Sequence, residues 1–188
     1  MKYNILRIAL ICFSAIIPLA CSQKDSTKYP EGSDFTLTDH NAQPFTFYKN
    51  LKKVNLLFFG YTLCPDICPV SMNKIKKAVS GLGEKEKDVR VFFISVDPGR
   101  DKPEKLKTYL SFFELDSVGL TGTKEQIDYV VRSFQATYQI NQSDSKAGYL
   151  IDHTSIIYLV DDKGKVRYMF RHKDTAENMT SVIKLMIN

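Results

Sequence analysis

The chain is short of several things, and each shortage removes a class of explanation. It lacks a strong charge imbalance: 26 Lys and Arg against 21 Asp and Glu leave a formal net charge of +5 over 188 residues. That is too mild to argue for nucleic acid as a partner, and Lys-rich stretches such as Lys74-Ile75-Lys76-Lys77 read as solvated helix faces. No apolar run reaches the roughly 20 residues of a comfortable membrane span. Repeats and low-complexity tracts are missing. Tryptophan is absent, while Phe and Tyr are plentiful. Histidine is limited to His40, His153 and His172, and cysteine to Cys12, Cys21, Cys64 and Cys68.

What is present at the N-terminus sets the compartment. Lys2 and Arg7 flank an apolar run from Ile8 to Ala20, broken only by the small polar Ser14, and Leu19-Ala20-Cys21-Ser22 follows. A basic flank, a short apolar run and small residues before a cut make a secretory signal. Residues 1–20 are therefore expected to be a signal peptide of lipoprotein type, with Cys21 acylated after cleavage. Pro18 stands where that motif usually has an aliphatic residue, so an uncleaved anchor or an ordinary cleaved signal remain alternatives. Loss of Lys2 and Arg7 lowers the formal charge to +3. Residues 21–33 read as a flexible polar tether, and residues 34–188 as one domain with a sizeable core.

Within that domain strands and helices alternate. Phe35–Leu37 and Phe45–Phe47 around Asp39-His40-Asn41 predict a small hairpin. Val54–Phe59 and Val89–Val96 are short apolar runs suited to buried central strands. Met72, Ile75, Val79 and Leu82 recur at helical spacing, ended by Gly81 and Gly83; Pro103 suits a first helical position before Leu106, Tyr109, Leu110 and Phe113. Val118–Leu120 is a brief strand. Thr123 with Gln126 forms a capping box before Ile127, Val130, Val131 and Phe134. Asn141–Lys146 reads as a polar loop. Ser155–Val160 and Val166–Phe170 flank a turn, and Asp174 with Glu177 is expected to cap a last helix. The pattern is that of an α/β domain with a mixed central sheet flanked by helices, and His40 and His172 are expected to face solvent.

The chemistry concentrates at Cys64-Pro65-Asp66-Ile67-Cys68, between an apolar run and a helical pattern. Residues four apart on a helix share a face, so two thiolates can meet one metal ion or each other. Prolines at 65 and 69 and Gly60 before them indicate a turn entering a helix rather than a core stripe, and a helix N-terminus favours thiolate. A strained, reversible disulfide is the stronger structural rival. Asp152-His153-Thr154 opens a second apolar run, and His153 could be a ligand or simply a hydrogen-bonded structural residue. Asp66 and Asp152 are candidates to flank such a site; Asp66 could equally be a carboxylate at a helix N-terminus. Two thiols and an imidazole suit Cu(I). Zinc is the main rival but normally wants a fourth ligand, and the C-x-x-x-C spacing departs from the C-x-x-C of thioredoxin-type oxidoreductases.

Four motifs, in order, resemble the Sco/SenC copper proteins: Gly60–Pro69, Ser95–Leu106, Gly119–Gly122, and Asp152-His153-Thr154 with Tyr158-Leu159. Lys102 departs by replacing a small hydroxyl residue. The resemblance implies a thioredoxin-like fold and a copper site of Cys64, Cys68 and His153, with Cu(I) as the main state and Cu(II) as a second. It implies a chaperone that delivers copper to the binuclear copper site of cytochrome c oxidase subunit II, reduces the cysteines of that site, or does both. The alternative is an extracytoplasmic thiol–disulfide oxidoreductase working through a redox-active Cys64–Cys68 pair. Either would sit on the periplasmic face of a bacterial membrane, held by its N-terminus.

Overall fold

The computed structural model describes residues 29–143 and 148–187. The expected signal peptide, the acylation site Cys21 and most of the tether lie outside the described residues. Of the tether only residues 29–33 are seen. They lie against the domain, with the Tyr29 ring 6.3 Å from that of Tyr168 and Gly32 close to Phe134.

Thirteen strands and α-helices follow among the described residues. β1 (Thr36–Asp39) and β2 (Pro44–Thr46) form the expected hairpin, then come β3 (Val54–Gly60), α1 (Ile67–Ser80), β4 (Val89–Ser95), α2 (Pro103–Ser111), β5 (Ser117–Thr121) and α3 (Lys124–Ser133). After them stand β6 (Tyr138–Gln142), β7 (Tyr149–His153), β8 (Ile157–Asp161), β9 (Val166–Phe170) and α4 (Ala176–Ile187). Seven strands make one sheet in the order β2-β1-β5-β4-β3-β8-β9, with β3, β4 and β5 parallel to one another. Their neighbours β1 and β8 run antiparallel to this central trio. The result is the thioredoxin-like mixed sheet, extended by the N-terminal hairpin.

Burial explains the centre. Every residue of β3 is buried, as is nearly all of β4, because a parallel strand covered on both faces must be apolar throughout. The one polar side chain inside β3, Asn55, is satisfied: its amide donates to Lys52 O at 2.9 Å and its oxygen accepts from Lys52 N at 2.9 Å. Phe47, Phe59, Phe92, Phe134 and Tyr158 meet edge to face and fill one layer of the core.

Local chemistry sets the ends. Pro103 opens α2, and Thr123 and Gln126 complete a reciprocal capping box on α3. Asp161 braces the β8–β9 turn by accepting from the N–H groups of Lys163 and Lys165, both at 2.9 Å. Two expectations shift. The cap of α4 is Thr175, whose hydroxyl accepts from Asn178 N, because the Asp174 carboxylate is already engaged by Arg171 N at 2.6 Å. The polar loop expected from Asn141 is instead partly strand: β6 runs to Gln142 and pairs with β7 as a separate two-stranded ribbon. Tyr138 and Ile140 alternate with Gln139 and Asn141, but the run is short and Ile140 stays exposed, so the alternation marks no buried face.

His40 also departs from the solvent-facing position expected of it. Its Nδ1 accepts from Gly119 N at 2.9 Å, tying the β1–β2 turn to β5. Burial pushes its pKa below the ordinary 6.5, with Asp39 opposing and Lys107 adding to the depression. Below 6.5 the unfolded chain therefore binds a proton that the folded chain resists, so this site lowers stability as pH falls. His40→Asn retains an acceptor but cannot titrate. Its urea stability should fall less than that of the wild type between about pH 7 and pH 5; parallel losses in the two proteins would refute the role given to His40.

Candidate metal centre

The carboxyl ends of β3 and β4 lie side by side, Gly60 opposite Ser95, where open α/β sheets place their sites. After Gly60 the chain makes a tight turn, with Cys64 N donating to Tyr61 O at 3.2 Å, and α1 begins at Ile67. Cys68 sits in the first turn of α1 and is fully buried, while Cys64 precedes the helix and is half-buried. The two sulfurs thus do not share a helix face; the Pro65-Asp66 turn folds Cys64 back over the helix N-terminus. His153, the last residue of β7, brings its Nε2 to 3.2 Å from Cys68 Sγ. The two sulfurs and one imidazole nitrogen lie within 4.8 Å of one another, and both thiols are free.

The imidazole is oriented for ligation. Its Nδ1 is 3.2 Å from the carbonyl of Thr154, which can only accept, so Nδ1 carries the proton and Nε2 turns its lone pair toward the sulfurs. The rings of Phe58 and Tyr61 stand edge-on to it, with centroids 5.9 and 5.8 Å away.

The cysteines divide one proton unequally. Cys64 is held as thiolate, its pKa lowered to about 3, first by a hydrogen bond from the Cys68 thiol. Burial opposes this, and the backbone N–H groups of Asp66 and Cys68 assist. Those two amides belong to the opening of α1, so the helix N-terminus faces the anion. Cys68 is pushed far up, by burial first and then by the adjacent Cys64 thiolate.

The surrounding loops are pinned by buried charge. Asp101, fully buried, accepts from Thr62 N at 2.9 Å, Thr62 Oγ1 at 2.6 Å and Ser95 Oγ at 2.7 Å, so it joins the loops leaving β3 and β4. Asp97, 3% exposed, accepts from Arg100 Nε and from Tyr149 Oη at 2.7 Å. Gly60 leaves room for the cluster: a β-carbon there would sit 2.8 Å from Cys68 Sγ and 2.9 Å from the Phe93 ring.

Cys64, Cys68 and His153 are thus brought together, whereas the two flanking carboxylates are not. Asp152 alternates with His153 along β7, so it points to the opposite face, is exposed, and accepts from Asn141 Nδ2 at 2.7 Å. The Asp66 carboxylate is also exposed and makes no capping bond; that residue serves through its N–H. Sequence reasoning missed the structural parts of Tyr61, Asp97, Arg100, Asp101 and Tyr149. The stretch Ser95–Leu106 was the available signal for three of them; Tyr149 offered none.

Comparison with known proteins agrees with this architecture. The SCO1/SenC family matches residues 23–188. A SCO2-like protein of Rickettsia felis is 41% identical over 154 residues, spanning 81% of this chain and 75% of that protein. The structure of Bradyrhizobium japonicum ScoI with copper bound is 38% identical, with a TM-score of 0.75, and the match covers 83% of this chain and 99% of ScoI. BsSco, described as a member of the Sco family of cytochrome c oxidase assembly proteins and as having a disulfide switch, is 26% identical, with a TM-score of 0.67 over 85% of this chain and 95% of its own. With the fold, the matched length and the identity in agreement, the chain belongs to the SCO1/SenC family.

Proposed function

We propose that this protein is a copper carrier of cytochrome c oxidase assembly, binding Cu(I) as cargo between Cys64, Cys68 and His153. The observation that carries the reading is the convergence of two thiol sulfurs and a correctly oriented imidazole nitrogen within 4.8 Å. Soft, low-coordinate Cu(I) suits that donor set. No fourth cysteine, histidine or carboxylate completes the group among the described residues, which disfavours a closed structural zinc site. Copper bound to ScoI, a relative with the same fold, supports the choice of metal. The recipient is the binuclear copper site of oxidase subunit II, consistent with the oxidase-assembly role stated for BsSco.

A second reading is favoured by one observation, the half-exposed Cys64 thiolate beside a free Cys68. That pair can reduce a partner disulfide. The Cys64 thiolate attacks one sulfur of the partner, and the other leaves as thiolate. Cys68 then loses its proton and resolves the mixed disulfide, so the pair gives up two electrons and the partner's two sulfurs become thiols with that proton and one from solvent.

The readings separate at His153. Cys64→Ser or Cys68→Ser should lose tight Cu(I) binding, while His153→Ala should lower copper retention and oxidase assembly but spare disulfide reduction. Full oxidase activity without added copper in cells carrying only His153→Ala would shift the assignment to the thiol reductase. Undiminished copper in a folded cysteine variant would remove the site itself.

Proton release tests the charge distribution. Because Cys64 is already anionic, Cys68 is the thiol that must lose a proton when Cu(I) enters. Cu(I) loading of the reduced protein near pH 7 should release about one proton per copper. Weakly buffered titration giving about two would show that Cys64 is not a preformed thiolate.

The same function places the domain outside the cytoplasm, tethered at the N-terminus. Among the described residues no helix is long and apolar enough to cross a membrane, and the proposed anchor is a lipid on Cys21. Mass spectrometry of the mature protein should find residues 1–20 removed and Cys21 acylated; an unmodified Cys21 would rule out the lipid anchor.

A further inference from the structure

His153 is carried by a ribbon outside the main sheet, since among the described residues β6 and β7 pair only with each other. The ligand's position therefore depends on what presses β7 against the body. Tyr149, Ile151 and His153 share one face of β7, because side chains alternate along a strand. Each is held differently. His153 meets the Phe58 and Tyr61 rings. Ile151 is buried and its N–H donates to Tyr61 Oη at 3.2 Å. Tyr149 is gripped by the loop that follows β4: its carbonyl accepts from Arg100 Nη1 at 3.0 Å, and its hydroxyl donates to Asp97. Arg100 Cζ lies 3.4 Å from the Tyr149 ring centroid and 5.9 Å from that of Tyr61.

We infer that Arg100 is a positioning residue for the third ligand, clamping Tyr149 so that β7 holds His153 Nε2 against the two sulfurs. The inference rests on the copper reading above. The guanidinium is suited to the task. It is planar, permanently charged and forked, so it can donate along its plane to Asp97 and to the Tyr149 carbonyl while its face stacks on the phenol ring. An ammonium can satisfy Asp97 but cannot also lie flat on the ring and reach the carbonyl. Asp97 is nearly fully buried and closes the network by accepting from both Arg100 and Tyr149. The clamp lies at the Tyr149 end of β7 and the ligand at the other, so loosening it frees His153 while the Asp101 contacts that hold the cysteine turn remain.

The test uses the intact domain loaded with Cu(I), in wild type, His153→Ala, Arg100→Lys and Tyr149→Phe, with folding checked by circular dichroism and thermal melting. X-ray absorption of the wild type should show two sulfur neighbours and one nitrogen. In Arg100→Lys the nitrogen contribution should weaken toward that of His153→Ala while the sulfurs remain, and copper should pass to a competing chelator on the order of tenfold faster. Tyr149→Phe, which removes only the hydroxyl, should move the same way by less. A purely structural Arg100 would lower the melting temperature and leave the copper spectrum of Arg100→Lys as in the wild type, which would overturn the inference. A wild-type spectrum identical to that of His153→Ala would instead overturn the three-ligand reading on which it rests.

Discussion

One fully buried carboxylate underlies the architecture of the site. Asp101 collects the backbone N–H and hydroxyl of Thr62 and the hydroxyl of Ser95, with Lys105 3.6 Å away. An isolated charge in that position would be prohibitive, and three donors with a nearby ammonium are what make it tolerable. In return the loops leaving two adjacent parallel strands become one rigid rim. The turn that holds Cys64 starts from that rim, and so does the 97–100 segment that grips β7. It gives the cysteine turn and the segment that grips the histidine ribbon a common reference, beside the direct bond from Ile151 N to Tyr61 Oη.

On that rim the site combines exposure with protection. Cys68 is fully buried with its sulfur against Gly60, whereas Cys64 reaches toward solvent and carries the negative charge. The asymmetry follows from position in the turn: the first thiol meets helix-opening amides, the second enters the core. A soft ion finds one donor ready and one to be deprotonated. A partner's disulfide finds one nucleophile and one resolving thiol. Carrier and reductase chemistry thus draw on the same geometry, and only the imidazole is specific to the first.

The central sheet was legible because its strands are buried on both faces. Val54–Gly60 and Val89–Ser95 read as apolar runs, and the boundaries expected for them fall within a residue of those observed. The start of α2 at Pro103 and the cap of α3 were legible because such signals are local, decided by residues within one turn. The cap of α4 was misplaced by one residue because Asp174 has a competing partner in Arg171, which no local rule reveals. The β6–β7 ribbon was missed for a different reason. It is half exposed and polar, and it is held by Tyr61, Asp97 and Arg100, residues dozens of positions away.

The sequence by itself determined the donor types, the α/β class and the entry of the cysteine pair into a helix, because these depend on residue identity and short-range spacing. Only the tertiary structure decided that His153 joins the cysteines, that the sulfurs meet across a turn rather than along a helix face, and that Asp152 points away while Asp66 contributes only its N–H. The 85 positions between Cys68 and His153 are closed by sheet order and ribbon packing, and these arise from burial and hydrogen bonding summed over the whole chain.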